Sequence, residues 1–290
     1  MGRGFSEPGP WLSFYGTAAE MGDIERVAAR FRIIDIDADP GRDGRGNFTD
    51  DELRILKAGG RNRVLSYLNL GSCERFRTYW SSAPAGFVPC GANRAAMLGE
   101  YADYPDETWM DLGNADYQAL LVEHVAARLF ARGVDGLYLD NLEVVEHTDP
   151  SSPEGVCSPS CRQGAFDVVR RLRDRYPDAL LVMQNATSDA TRLGSTHGVR
   201  FASLLDGVTH EEVYRPTFDA EAEAQLAAWA ALGLRSRTGR PFFVGVEDYV
   251  GSCSNVEAAR DVYAKSRTHG FTPYASDASN SQKVVCYWSF

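Results

Sequence analysis

The chain has 290 residues, of which 44% are hydrophobic and 24% are charged, and its formal net charge is −10. This composition excludes a disordered, collagen-like or coiled-coil protein, and the length fits one large domain or two small ones. The longest apolar stretches have the length of strands, so no membrane span is expected. The acidic balance argues against nucleic acid as a partner, because binding to phosphates needs a basic surface.

Eight short apolar runs follow one another along the chain. They are rich in Val, Ile, Leu, Phe and Tyr and do not alternate strictly with polar residues, as expected of parallel strands that are buried on both faces. The predicted strands lie in residues 11–16, 31–37, 63–70, 133–140, 178–185, 203–211, 240–247 and 271–275.

The segments between these runs carry helix signals. Thr49 and Glu52 have the spacing of a capping box, and Ser254 with Glu257 has the same spacing. Asn114 is a suitable N-cap for a long amphipathic helix that ends before Gly133.

Repeated strand–helix units of this number and length predict a single (β/α)8 TIM barrel that occupies residues 1–290. The competing layout is an open, doubly wound sheet. That fold usually carries a glycine-rich GxGxxG turn after its first strand, whereas this chain has FYGTAAE there.

Polar side chains follow nearly every predicted strand. A TIM barrel places its chemistry at the carboxyl ends of its strands, so these residues are expected to share one mouth. The candidates are Tyr15, Asp35, Asp37, Tyr67, Ser72, Glu74, Trp109, Asp140, Asn141, Gln184, Asn185, Glu211, Glu212, Tyr214, Glu247, Tyr249 and Tyr274.

Two carboxylates stand out in this set. Asp140 directly ends the apolar run GLYLD. Glu211 directly follows VTH at the end of the predicted strand two further along the chain. Cleavage of a glycosidic bond needs such a pair, one group to protonate the leaving oxygen and one to attack the anomeric carbon or activate water. The accompanying tyrosines and tryptophan suit the stacking of sugar rings.

Other chemistries are less well supported. The chain contains no GxSxG, HExxH or HxH motif, so a serine hydrolase or a zinc protease is not indicated. A divalent metal held only by carboxylates, from Asp35, Asp37, Asp140 and Glu247, stays open as an alternative.

Six cysteines are present, and Cys157 and Cys161 flank a Ser-Pro-Ser turn that suits a small disulfide loop. A free pair or a metal site are the alternatives. The even number favours a secreted or cell-envelope protein, with a cytoplasmic one as the alternative. The segment MGRGFSEPGPW lacks the apolar region of a signal peptide, so an exported protein would already have lost its signal.

Several segments, taken in order, resemble glycoside hydrolase family 114, the endo-α-1,4-polygalactosaminidases and related barrels. The sharpest is GVDGLYLDN, and the resemblance runs from about Trp11 to Tyr274. The segments are VLSYLNLGSCERFRTYW (64–80), ETWMDLGN (107–114), GVDGLYLDNLE (133–143), ALLVMQNA (179–186), LLDGVTHEEVY (204–214) and HGFTPYAS (269–276).

The resemblance implies a barrel that cleaves α-1,4-linked galactosamine or N-acetylgalactosamine polymers. Retention of configuration is expected of the carboxylate pair, and inversion with Asp140 as the base is the alternative. Asp140 and Glu211 match the family's catalytic aspartate and glutamate, which implies a nucleophile and a general acid/base, with Glu212 as the second choice. The other residues listed at the mouth are expected to bind substrate. The expected partner is a polysaccharide or oligosaccharide, without a cofactor or a membrane, and the protein is expected to be a monomer. A barrel that binds polysaccharide without cleaving it is the alternative.

Overall fold

The computed structural model describes residues 4–5, 9–235, 239–278 and 282–290, so most of the segment MGRGFSEP lies outside it. All eight predicted strands are present, in one parallel sheet. We number them β1 (Trp11–Phe14), β2 (Ile33–Ile36), β3 (Arg63–Asn69), β4 (Gly136–Asp140), β5 (Leu180–Gln184), β6 (Gly207–Glu211), β7 (Phe243–Tyr249) and β8 (Thr272–Ser276).

The eight strands follow one another around the sheet in chain order, and the sheet is a nearly closed (β/α)8 barrel, which confirms the predicted fold. Strands β1 and β8 lie side by side, but no backbone ladder joins them within the described residues. The indole of Trp11 on β1 bridges this seam by donating to the carbonyl of Thr272 on β8 at 2.9 Å. Inside the barrel, the hydroxyl groups of Tyr138 and Thr209 share a hydrogen bond of 2.6 Å.

Helices connect the strands on the outside, and several begin where the sequence predicts. The capping box at Thr49 and Glu52 is confirmed. The box predicted at Ser254 is wrong, because Asn255 caps the helix by accepting from the amide of Ala258. The helices span Ala18–Met21, Ile24–Arg30, Asp50–Lys57, Thr78–Ser81, Ala115–Ala131, Pro159–Arg175, Asp189–Arg192, Ala220–Ala231 and Val256–Thr268, the fifth with a π-helical segment at Leu120–Val125.

A small antiparallel sheet interrupts the barrel between β3 and β4. Its strands span Ser72–Glu74, Met97–Glu100 and Glu107–Met110, with the third strand in the centre. Since the first of these strands begins directly after β3, the small sheet stands at the carboxyl-terminal mouth of the barrel. A two-stranded ribbon, Ser195–Thr196 with Val199–Arg200, and several short 3₁₀ turns complete the described elements.

All six cysteines are paired. Cys157 and Cys161 form the small loop that the sequence favours, Cys73 joins Cys90, and Cys253 joins Cys286. The last of these bonds ties residues 282–290 to the loop that follows β7.

The three disulfides close loops of different length, which predicts different contributions to stability. The Cys253–Cys286 bond spans 33 residues and the Cys157–Cys161 bond spans only 4. Loop-closure entropy gives about 4 kcal/mol for the longer loop and about 2 kcal/mol for the shorter one. We expect the C253S/C286S variant to lose about 2 kcal/mol more free energy of unfolding than C157S/C161S, measured by urea denaturation. Equal losses would contradict this expectation.

No helix among the described residues is long and apolar enough to cross a membrane.

Candidate active site

A cavity of about 640 Å³ opens at the carboxyl-terminal mouth of the barrel. Both predicted catalytic carboxylates line it, together with eight of the predicted substrate-binding residues. These eight are Tyr15, Asp37, Tyr67, Glu74, Asn141, Gln184, Asn185 and Tyr249.

Asp140 is the last residue of β4, and its two carboxylate oxygens have different surroundings. Oδ2 accepts a hydrogen bond of 2.9 Å from the hydroxyl of Tyr67. Oδ1 is shielded from solvent and has no hydrogen-bond partner among the described residues. Burial, and then the negative charge of Glu211, raise the pKa of Asp140 to about 7. One oxygen is therefore held by Tyr67, and the other is enclosed by the protein.

Glu211 ends β6 and receives more hydrogen bonds than Asp140. The side-chain amides of Gln184 and Gln282 both donate to its Oε1, the second at 3.1 Å, and the hydroxyl of Tyr249 also donates to the carboxylate. Burial raises the pKa of Glu211 in spite of these donors. The negative charge of Glu211 favours the protonated form of Asp140, so the titration of Asp140 depends on the charge of Glu211.

The backbone turns sharply after three neighbouring strands of the mouth. Asn141, Asn185 and Glu212 directly follow β4, β5 and β6, and their φ angles are 60°, 60° and 55°. Asparagine tolerates this left-handed conformation, whereas it is unusual for glutamate. Since β6 ends at Glu211, the exposed Glu212 does not continue the strand and does not line the cavity.

A buried ion-pair network forms one wall of the cavity. Arg77 donates to Glu74 from Nε at 2.6 Å and to Asp37 from Nη1 at 2.7 Å. Its guanidinium also lies 5.7 Å from the ring centre of Tyr67, the residue that holds Asp140. Burial raises the pKa of Glu74 to about 7 against the opposing charge of Arg77. Sequence reasoning missed Arg77, because it lies beyond the strand end, in the turn before a short helix.

A third acidic residue, Glu107, reaches the cavity from the small antiparallel sheet. Its Oε2 accepts from the hydroxyl of Ser72, from the amide of Asn69 at 3.0 Å and from the amide of Asn141 at 3.4 Å. Burial raises its pKa. The segment ETWMDLGN suggests Trp109 rather than Glu107, because the position of Glu107 depends on a strand that the sequence pattern does not predict.

Two tyrosines were also missed. Tyr101 and Tyr104 line the cavity, and their rings meet edge to face with centres 4.9 Å apart. Trp109 stacks on the other side of Tyr101 at 4.2 Å, so it supports the wall rather than lining it. The signal available in the sequence was the density of tyrosines between β3 and β4.

Three predicted residues lie beneath the cavity. Asp35 is fully buried and accepts from the hydroxyl of Tyr15 at 2.6 Å. Glu247 is fully buried and accepts from the amide of Gln282 at 3.0 Å, and Ser72 is buried against Glu107. Each of them contacts a side chain that lines the cavity.

Two predicted tyrosines are buried away from the cavity. Tyr274 is fully buried between the rings of Trp11 and Phe31, and its hydroxyl accepts from the amide of Cys286 at 3.2 Å. Tyr214 follows the turn after β6 and is buried there, 6.1 Å from the ring of Phe218. The structure therefore does not bring Tyr274 or Tyr214 to the substrate side.

The carboxylates do not form a metal site. No group of three or more histidine, cysteine or acidic side chains in the described part of the chain is arranged to hold a metal ion. Asp37 pairs with Arg77, and Asp35 accepts from Tyr15 and Ser13, so both are engaged in other contacts.

Comparison with known proteins identifies the family. The model of glycoside hydrolase family GH114 matches residues 12–290. The chain belongs to this family. Membership of GH114 makes the protein a glycoside hydrolase, as the pair of carboxylates at the mouth predicts.

This GH114 protein is similar to proteins of Thermotoga maritima and Deinococcus radiodurans. An uncharacterized protein of Thermotoga maritima is 26% identical over 269 residues, which cover 87% of this chain and 76% of the relative. One from Deinococcus radiodurans is 24% identical over 238 residues, which cover 79% of this chain and 69% of the relative.

Two solved structures share the fold. The glycoside hydrolase domain of PelA from Pseudomonas aeruginosa has a TM-score of 0.68 at 16% identity, with coverage of 97% of this chain and 98% of that domain. Ega3 from Aspergillus fumigatus, solved in complex with galactosamine, has a TM-score of 0.64 at 13% identity, with coverage of 99% and 97%.

Proposed function

We propose that this protein cleaves α-1,4-linked galactosamine or N-acetylgalactosamine polysaccharide with retention of configuration. Asp140 is the nucleophile and Glu211 is the general acid/base. The observation that carries the proposal is the pair of carboxyls itself, since Asp140 and Glu211 end strands β4 and β6, both line one cavity, and the charge of Glu211 raises the pKa of Asp140.

The reaction proceeds in two displacements. In the first, the carboxylate of Asp140 forms a bond to the anomeric carbon while the bond to the leaving oxygen breaks, and Glu211 donates its proton to that oxygen. In the second, Glu211 takes a proton from water, the water oxygen bonds to the anomeric carbon, and the ester to Asp140 breaks. The pair must hold one proton at the start, and the raised pKa of Glu211 together with that of Asp140, about 7, favours that state.

The charge of the cavity supports an amino sugar as the substrate. Six acidic residues line the cavity against the three basic residues Arg42, Arg77 and Lys283, and Arg77 is already paired with two carboxylates. Excess negative charge in a cleft favours a cationic ligand. The related barrel Ega3 was solved with galactosamine, which is such a ligand.

The substrate proposal is tested with a panel of polymers of galactosamine, glucosamine and galactose at several degrees of N-acetylation. We expect reducing ends to be released from the galactosamine polymers and not from the galactose polymer. Binding of the galactosamine polymer without release of reducing ends would contradict the proposal, because it would indicate a non-catalytic barrel.

Glu107 is expected to recognise the amino group, because the other acidic lining residues are either paired with an arginine or belong to the proposed catalytic pair. A hydrogen bond to a charged group contributes about 1.5–3 kcal/mol, so we expect E107Q to raise KM for a deacetylated polymer on the order of tenfold. KM for the fully N-acetylated polymer should change less than about twofold, since the acetamide carries no charge. The neighbouring Asp106 is exposed, and D106N serves as the control. An equal effect of E107Q on both polymers would contradict amine recognition.

We also propose that the protein works outside the cytoplasm. Three disulfide bonds support this location, since such bonds persist in oxidising compartments. Periplasmic or secreted protein should give no free thiols after denaturation, as measured with a thiol reagent, and free thiols at all six cysteines would contradict the proposal.

A further inference from the structure

Gln282 reaches the catalytic pair from a segment that follows the last barrel strand. It is buried, with only 6% of its surface exposed. Its side-chain amide nitrogen lies 3.1 Å from Oε1 of Glu211 and 3.0 Å from Oε2 of Glu247. A third contact, at 3.4 Å, joins the same nitrogen to the hydroxyl of Ser13 on β1. One amide therefore links three strands at the floor of the cavity.

The backbone of Gln282 is also fixed. Its carbonyl accepts a hydrogen bond of 2.8 Å from the amide of Tyr15, directly after β1. Its φ angle is 41°, a conformation that non-glycine residues adopt only where the surroundings impose it. The residue lies at the seam between β1 and β8, where the described sheet has no ladder.

The segment that carries Gln282, residues 282–290, is anchored at three further points. Cys286 forms the disulfide with Cys253. The indole of Trp288 donates to the carbonyl of Ala275 at 2.7 Å, and the carbonyl of Trp288 accepts from the guanidinium of Arg30. These anchors set the position of the segment independently of the substrate.

From these contacts we propose that Gln282 is a positioning residue for catalysis. Its side-chain amide donates a hydrogen bond to Oε1 of Glu211 and so fixes the position of that oxygen. The same amide donates a second hydrogen bond to Glu247, which lies beneath the cavity. The segment 282–290 thus completes the active site as well as the barrel seam. This inference rests on the proposed role of Glu211 and goes beyond the pair of carboxylates.

The titratable groups that contact this amide or its hydrogen-bond partners are acidic or phenolic, and the basic residue Lys283 follows Gln282 in the chain and also lines the cavity. Glu211 and Glu247 contact it directly, Asp35 on β2 contacts Ser13, and Tyr249 on β7 contacts Glu211. Removing the donated hydrogen bond destabilises the carboxylate form of Glu211 and therefore raises its pKa. A general acid must be protonated, so the basic limb of the pH–rate profile moves to higher pH.

The test is Q282M, which keeps the length of the side chain and removes its donor. We expect kcat on a galactosamine polymer to fall on the order of tenfold, KM to change less than about twofold, and the basic limb of kcat/KM to rise by about one pH unit. The control is V284A, an exposed residue of the same segment, which should leave the profile unchanged. An unchanged profile for Q282M, or a lower kcat with the limb in its original place, would overturn the inference.

A second measurement does not depend on activity. The free energy of unfolding is compared between pH 5 and pH 9 for the wild type, Q282M, E211Q and the double variant. We expect Q282M to be more destabilising at pH 9 than at pH 5, because Glu211 is ionised there, and this increase should shrink in the E211Q background. If the destabilisation by Q282M and that by E211Q simply added in the double variant at both pH values, the proposed contact between Gln282 and Glu211 would be overturned. If the wild type were inactive on every polymer but Q282M and E211Q were still non-additive at pH 9, only the proposed function would be refuted, and the contact between Gln282 and Glu211 would stand.

Discussion

Replacing Asp140 by Asn is expected to lower kcat on a galactosamine polymer on the order of 10⁴-fold, the scale of losing a catalytic nucleophile. Asparagine cannot form the glycosyl ester, yet its side-chain oxygen can still accept from Tyr67, as Oδ2 does in the wild type. The fold should therefore survive, and KM should change little. Reducing-end release and thermal unfolding, measured on the same samples, separate loss of chemistry from loss of structure.

The control for this variant is D103N, which removes an exposed carboxylate near Tyr104, in the loop between β3 and β4. D103N should keep at least about half of the wild-type rate, since surface charges far from a reacting atom have small effects. If D140N retained more than a tenth of the activity while remaining folded, Asp140 would not be the nucleophile.

The second large effect concerns Glu211. We expect E211Q to lower kcat on a polymer on the order of 10²–10⁴-fold, the usual contribution of a general acid. A glycoside with an activated aryl leaving group needs no protonation, so its first step should be nearly unaffected and the product should appear as a burst. Azide, which attacks the glycosyl-enzyme without general-base help, should restore turnover. A loss on the aryl glycoside as large as that on the polymer would contradict this role.

The same variant has a defined effect on pH dependence. The charge of Glu211 is one cause of the raised pKa of Asp140, about 7, so its removal should lower that pKa. Asp140 reacts as the carboxylate, and the acid limb of the burst rate should move to lower pH in E211Q. The exposed neighbour Glu212 provides the control, E212Q, which should leave the limb in place. An acid limb that stays in place in E211Q would show that the two carboxyls are not coupled.

The features that depend on local patterns could be predicted from the sequence. The eight strands are short buried runs between helix signals, and Asp140 and Glu211 each directly end one of them. In a parallel barrel, a residue at the carboxyl end of a strand lies at the mouth. The exact helix start at Asn255 was missed by one residue, because serine and asparagine are both good N-caps and the choice depends on the packing of the turn.

The features that depend on long-range packing could not be predicted. Gln282 reaches Glu211 across 71 residues of sequence, and nothing in its neighbourhood marks it. Glu107 depends on a small sheet inserted between β3 and β4. The side toward which Tyr274 points depends on the packing of Trp11 and Phe31, so its place near a strand end did not indicate contact with substrate.

The most direct test of the account is the anomer that the wild-type enzyme first releases from an α-1,4-linked galactosamine oligomer, followed by proton NMR before mutarotation. Attack by Asp140 and then by water predicts the α-anomer as the first product. Release of the β-anomer first, or no cleavage of the oligomer, would contradict a retaining mechanism on this substrate.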